Sequence, residues 1–205
     1  FLQEYHDGKF NNWQLDILNI VHRDTHYFVP QIKTKILNEG WASFWHYKIL
    51  QELDLDDEFH IPFLKMHNAV VRPHLGGLNP YHIGFYIFTK LEREHGIEKC
   101  FEVREIHDDV SAVRLFLEEE DMREFADEEE WQVVRNEMIR SVGVNGIPQI
   151  YVDKIENDGT LVLKHEYDGR ELDLGHAEKV VNHITELWKN DVRLYTILED
   201  EIWEI

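Results

Sequence analysis

Cysteine is almost missing: Cys100 is the single one in 205 residues. An internal disulfide is thereby excluded, and the chain suits a reducing compartment such as the cytoplasm. Positive charge is scarce as well. Lys and Arg total 21 against 41 Asp and Glu, a formal net charge of −20. Such a surface repels polyanions, so neither nucleic acid nor an anionic membrane is expected as a partner. No apolar run approaches the roughly 18 residues of a membrane span. No secretory signal opens the chain. The first residues, "FLQEYHDGKF", lack an initiator methionine and read as the tail of an earlier element, so a piece of a longer protein is expected. Internal repeats are missing too, and the short acidic runs are solvated faces.

What is present is a folded composition, 43% hydrophobic and 12% aromatic, with enough material for a core. Asn11 and Asn12 are cap candidates before "WQLDILNIVHRDTHYF", where Trp13, Ile17, Ile20, Val21 and Phe28 recur at helical spacing. Pro30 breaks or kinks that helix. A second helix is expected from about Lys33 to Gln51 and a short one over "FHIPFLKMHNAVV". After the loop "RPHLGGLNP", Asn79 and Pro80 start another, closed by Gly96. Two acidic amphipathic helices follow, in "HDDVSAVRLFLEEEDMREF" and "DEEEWQVVRNEMIRSVG". Then "PQIYVDKIE" and "TLVLKHEY" read as strands about an "NDG" turn. A helix over "GHAEKVVNHITELWKN" and strands in "VRLYTIL" and "EIWEI" complete the chain. The expectation is an α+β protein: a helical region at 1–105, then an acidic α+β domain at 106–205 with a small, mostly antiparallel sheet. The boundary falls between about Gly96 and Glu120.

One helix poses a chemical question. "TKILNEGWASFWHYKIL" is apolar nearly all round, which predicts a buried helix, yet it holds Glu39 and His46. Seven residues apart, these two share an azimuth, with Ala42 and Ser43 between them. A polar stripe flanked by small side chains is expected to line a cavity, with Glu39 buried. The pair stands roughly 10 Å apart along the axis, too far to chelate one ion. If Glu39 is a metal ligand, His46 therefore lies behind the ligands or on the substrate side. The plainer alternative is a buried carboxylate satisfied by Arg, His or backbone groups.

The same segment, with "MHNAVV" and "GGLNPYHIGFYIF", resembles the stage V sporulation protein R (SpoVR) family. "NEGWASFWH" and "NPYHIG" carry the resemblance, supported by "NNWQLDIL" and "YFVPQIKTKI". It implies a role in bacterial sporulation, in forming the peptidoglycan cortex of the spore, and action in the cytoplasm of the sporulating cell. It also implies a longer N-terminal part with a His-rich helical region. Separately, "NEGWA" is similar to the Asn-Glu-Gly-Phe-Ala segment of gluzincin aminopeptidases, whose glutamate is the third zinc ligand. That likeness makes Glu39 a metal candidate, with zinc the cofactor of the longer protein. This chain has no His-Glu-x-x-His, a departure from that pattern.

The other candidates are weighed by context. His67 and His82 lie in segments that match the family; a capping or packing role is the alternative. Tyr81 is placed to donate its hydroxyl to an oxyanion, unless it simply packs. His22 and His26 have metal spacing, i and i+4, but thirteen histidines make such a pair easy to obtain by chance. "SVGVNGIP" lacks the lysine and spacing of a phosphate loop, and Asp153 and Glu156 are ordinary exposed carboxylates. The candidate catalytic residues are therefore His46, His67 and Tyr81. Two classes of function stay open: a metal-dependent hydrolase-like protein, or a non-catalytic sporulation factor whose acidic α+β half binds a protein partner.

Overall fold

The computed structural model describes residues 1–6, 8–73, 78–122 and 131–205. Its order is α1 (Leu2–Tyr5), α2 (Asn12–Lys33), α3 (Lys35–Glu52), α4 (Asp57–Val71), α5 (Pro80–His95), α6 (Ile97–Ile106), α7 (Asp109–Phe116), α8 (Glu119–Met122) and α9 (Trp131–Ser141). A 3₁₀ turn (Gly143–Gly146), β1 (Ile150–Ile155), β2 (Leu161–His165), α10 (Leu174–Trp188), β3 (Val192–Leu198) and β4 (Glu201–Glu204) follow. The expected α+β class is what is seen. The loop residues 74–77, and 123–130 within the two acidic segments, lie outside the described residues.

The chain forms two compact units: Phe28–Gly146, and Phe1–Tyr27 together with Ile147–Ile205. The first is helical. Its core holds Ile36, Leu37 and Phe44 of α3, Ile83, Ile87, Phe88 and Leu91 of α5, Cys100 and Val103 of α6, and Ala112 and Val113 of α7. Burying each such aliphatic or aromatic side chain contributes about 1.5–3 kcal/mol. Asp108 caps α7 through the Ser111 amide, and the Ser111 hydroxyl closes a reciprocal capping box. Pro30 does not end α2, which runs through it to Lys33; the break comes at Thr34, whose hydroxyl donates to the Pro30 carbonyl at 2.9 Å.

The second unit carries a four-stranded sheet in the order β1-β2-β3-β4. The β1–β2 and β3–β4 pairs are antiparallel, and β2–β3 is parallel. A parallel pair needs a crossover, and α10 supplies it. The "NDG" segment makes the first hairpin, with Gly159 at φ +89° where a side chain is disfavoured. Leu161, Leu163, Val192 and Leu194 pack on Ala177, Val181 and Trp188 of α10. The Trp188 indole N–H donates to the Gly159 carbonyl at 2.9 Å, and the Lys9 ammonium sits 3.7 Å from the Trp188 ring centroid.

Helix α3 departs from the expectation of all-round burial. Its buried residues are Ile36, Leu37, Gly40, Ser43 and Phe44, a single face. Ala42 and His46 are exposed, Ile49 is 54% exposed, and Trp41 and Trp45 are half-buried. The cause is the narrow contact ridge: small residues let α3 sit close on α5, so the large rings splay to the flanks. There Trp41 stacks edge-on with Phe88 and Phe101, at centroid distances of 5.3 and 5.0 Å. Among the described residues no helix is long and apolar enough to cross a membrane.

Candidate functional site

Two glycines set the geometry. A Cβ on Gly40 would stand 2.7 Å from the Gly84 carbonyl oxygen, and one on Gly84 would stand 2.8 Å from the Gly40 amide nitrogen. Backbone therefore lies on backbone where α3 crosses α5. Each glycine adjoins candidate chemistry: Glu39 precedes Gly40, and Tyr81 lies one turn before Gly84. The crossing brings the two together, and the Tyr81 hydroxyl hydrogen-bonds the Glu39 side chain. That bond, with burial and the carboxylate charge, raises the Tyr81 pKa above the ordinary phenol value, so the group stays a proton donor at neutral pH.

Glu39 is half-buried rather than buried. The Ser43 hydroxyl donates to the Glu39 main-chain carbonyl at 2.9 Å, and His46 is exposed. A hollow does open nearby, lined by Phe44, Tyr47, Lys48, Gln51, Phe85 and Glu92 among others. Lys48 and Glu92 form an ion pair on its rim.

The loop before α5 docks α4 beside this crossing. The Asn79 side-chain amide donates to the carbonyls of Val70 and Arg72, both at 2.8 Å, and its oxygen accepts from the Tyr81 amide at 3.0 Å. His82 Nδ1 lies 2.9 Å from the Val71 carbonyl oxygen. Asn79 thus caps α5 and satisfies the end of α4 together. So anchored, α4 places His67 among Tyr47, Phe63 and Phe85, with ring centroids 5.0 to 5.8 Å away.

His67 is 5% exposed, and its Nε2 has no hydrogen-bond partner among the described residues. Burial, then the neighbouring His46, lowers its pKa, so the ring is neutral at pH 7. The His46 and His67 ring centroids are 6.3 Å apart. Two separate pairs result: a phenol donor beside a carboxylate at the crossing, and two imidazoles where α4 meets α3 two turns beyond Glu39. The exposed pair His22 and His26 lies elsewhere, on α2, with centroids 4.8 Å apart.

Glu39 can give one oxygen ligand to a metal ion. Among the described residues no three His, Cys, Asp or Glu side chains come together to hold one. Cys100 offers no reactive thiol: burial pushes it up to about 11, and its Sγ donates to the Phe88 carbonyl at 3.4 Å.

Comparison with known proteins adds to this geometry. Residues 1–126 match the model described as SpoVR like protein, and residues 148–199 match SpoVR-like C-terminal domain. The chain belongs to the SpoVR family. That family is a sporulation-related one. A relative in Escherichia coli (strain K12), "Uncharacterized protein YcgB", is 28% identical over 252 residues, covering 98% of this chain and 49% of YcgB. The chain spans about half the length of that relative. No solved structure matches it.

Three features of this SpoVR chain had weak sequence signals. The Gly40–Gly84 contact was marked only by a small residue amid aromatics in each helix. The buried Asp109 and the Lys90–Asp121 pair looked like any other charges in acidic helices. Their partners are 72 and 31 residues away, and no local pattern reports them.

Proposed function

We propose that the chain is part of a protein of spore cortex formation, and that its helical unit forms one wall of a hydrolytic metal site. The supporting observation is the hydrogen-bonded Glu39–Tyr81 pair at the α3–α5 crossing, with His67 kept neutral nearby. Glu39 is the ligand from this chain, and the remaining ligands belong to the longer polypeptide. A divalent ion such as zinc would there polarise a peptide or peptidoglycan carbonyl. Tyr81 holds the carboxylate in position and presents a hydroxyl donor beside it. His67, neutral and without a partner at Nε2, can take up a proton, and exposed His46 can pass one to solvent.

The −20 charge disfavours nucleic acid and an anionic membrane as partners. Action in the cytoplasm of the sporulating cell belongs to the same proposal. The test is metal content. Zinc, iron and manganese are measured in purified protein of YcgB length, as wild type and Glu39→Gln, alongside thermal unfolding. One bound metal, lost in the variant while the fold survives, supports the proposal.

A second reading rests on Glu39 already accepting from Tyr81: a structural pair in a non-catalytic factor that binds a protein partner. Metal-free wild type, or unchanged metal with a large loss of stability in Glu39→Gln, favours it.

A further inference from the structure

Helix α2 buries none of its 22 residues. Trp13 is 61% exposed, Ile17 50%, Ile20 58% and Val21 56%. These four lie on one face, where an amphipathic helix ordinarily packs. Continued one step, the pattern is a seam of alternating 3- and 4-residue spacings: Trp13, Ile17, Ile20, Asp24. Asp16 and Arg23 flank it, and both are exposed. Apolar seams with charged flanks are what paired helices use.

We propose that this face binds the same face of a second copy, with the two α2 helices antiparallel and Ile17 of each against Ile20 of the other. The register follows from the polar residues. Asp24 interrupts the seam and needs a donor if covered. In this register it meets Trp13 of the second copy, whose indole N–H is such a donor. Asp16 then falls within about one half-turn of Arg23 across the pair, close enough for a flexible guanidinium to reach. Shifting by a heptad in one direction sets Asp24 against Ile20, and in the other it leaves only Trp13 and Ile17 of the seam in contact. The seam is therefore self-complementary in one register.

Area sets the strength. At about 100 Å² of exposed surface per large side chain, the four residues offer roughly 400 Å² per copy. The pair then buries about 800 Å² before the polar rim is counted, below the ~1,200 Å² of stable interfaces. An association of that size is weak and reversible.

Sedimentation or light scattering of the 205-residue chain, from about 1 to about 100 μM, tests this. The expected result is a monomer–dimer equilibrium. Ile20→Glu should weaken it at least tenfold with unchanged circular dichroism, because Ile20 is exposed in the monomer. Asp16→Arg or Arg23→Asp alone should weaken it, and the two together should restore it. A chain monomeric throughout the range overturns the proposal, leaving the face to another occupant such as the rest of a YcgB-length polypeptide. Dimers indifferent to Ile20→Glu, or no rescue by the charge exchange, overturn it equally.

Discussion

Gly40 of α3 and Gly84 of α5 touch backbone to backbone, and a Cβ on Gly84 would stand 2.5 Å from the Gly40 Cα. The obstruction is main chain, which cannot rotate away as a side-chain tip can. Gly40→Ala and Gly84→Ala should each cost about 3 kcal/mol or more, since the helices must separate and open the core on both sides. Gly175→Ala provides the contrast: its nearest neighbour would be Asp173 Oδ1 at 3.6 Å, in an ordinary helical position. That change should stabilise by about 0.5 kcal/mol. Denaturant midpoints of the three variants check both signs.

Asp109 is 1% exposed and closes the N-terminus of α3 from another helix, accepting from the amides of Ile36 at 2.9 Å and Leu37 at 3.0 Å. Thr34, the residue in the local cap position, makes no side-chain cap bond. Burial outweighs those amides and, with Asp108 beside it, pushes the Asp109 carboxyl up to about 6 from 3.8. The native state therefore holds a proton that the unfolded chain has released between about pH 4 and pH 6. Stability from this group is fully present below about pH 4 and falls as pH rises to about 6. The amount is on the order of 3 kcal/mol, at about 1.4 kcal/mol per pH unit. Asp109→Asn cannot titrate, so its stability should lack this decline. Asp121 has the opposite sign and a lower window, its carboxyl being held below the ordinary value. Unfolding free energies of wild type and Asp109→Asn at several pH values between 4 and 7 would expose the difference.

How much of this was legible beforehand depended on distance along the chain. Periodicity placed the helices, and "NDG" placed the hairpin, because a turn's chemistry is local. Glu39 and Tyr81 each stand out in the sequence, one as a carboxylate in an apolar helix and the other as a tyrosine beside Asn79 and Pro80. Their meeting was not legible, since it depends on Gly40 and Gly84, 44 positions apart. Side-chain apolarity overstates the burial of α3, because it does not report how wide the contact ridge is. A narrow glycine–serine ridge covers one face and leaves His46 and Ile49 exposed.

Lys90 and Asp121 form a buried ion pair at 2.6 Å. Asp121 also accepts from the Tyr86 hydroxyl and the Glu118 amide, both at 2.7 Å. Burial alone would raise the carboxyl, but Lys90, the Glu118 amide and Tyr86 hold it below its usual range. Lys90 would be lowered by the same burial, and Asp121 raises it instead. Removing one partner strands the other, so Lys90→Met should cost about 3–5 kcal/mol, and Asp121→Leu a similar amount. The double variant should lose less than the sum of the two, because neither charge is left uncompensated. Urea unfolding of the four proteins measures the coupling; strictly additive losses would mean that the pair is not coupled.

The division at 105/106 proposes a break between cooperative units within the stretch from Gly96 to Glu120. Against it stands a run of side chains in one core, with Cys100, Val103, Ala112, Val113 and Leu117 all 0% exposed. Proteases need several residues of extended, accessible backbone, and helices packed this way do not offer them without unfolding. Residues Ile147, Pro148 and Gln149 do: they are exposed, lie between the 3₁₀ turn and β1, and begin the second compact segment. Brief digestion with a low-specificity protease should therefore cut first at 147–149. The C-terminal product should carry the whole sheet, since all four strands follow residue 149. Mass spectrometry of the earliest fragments identifies the site. A first cut within 97–120 would establish the 105/106 division instead, and would mean that α6 or α7 opens more readily than its burial indicates.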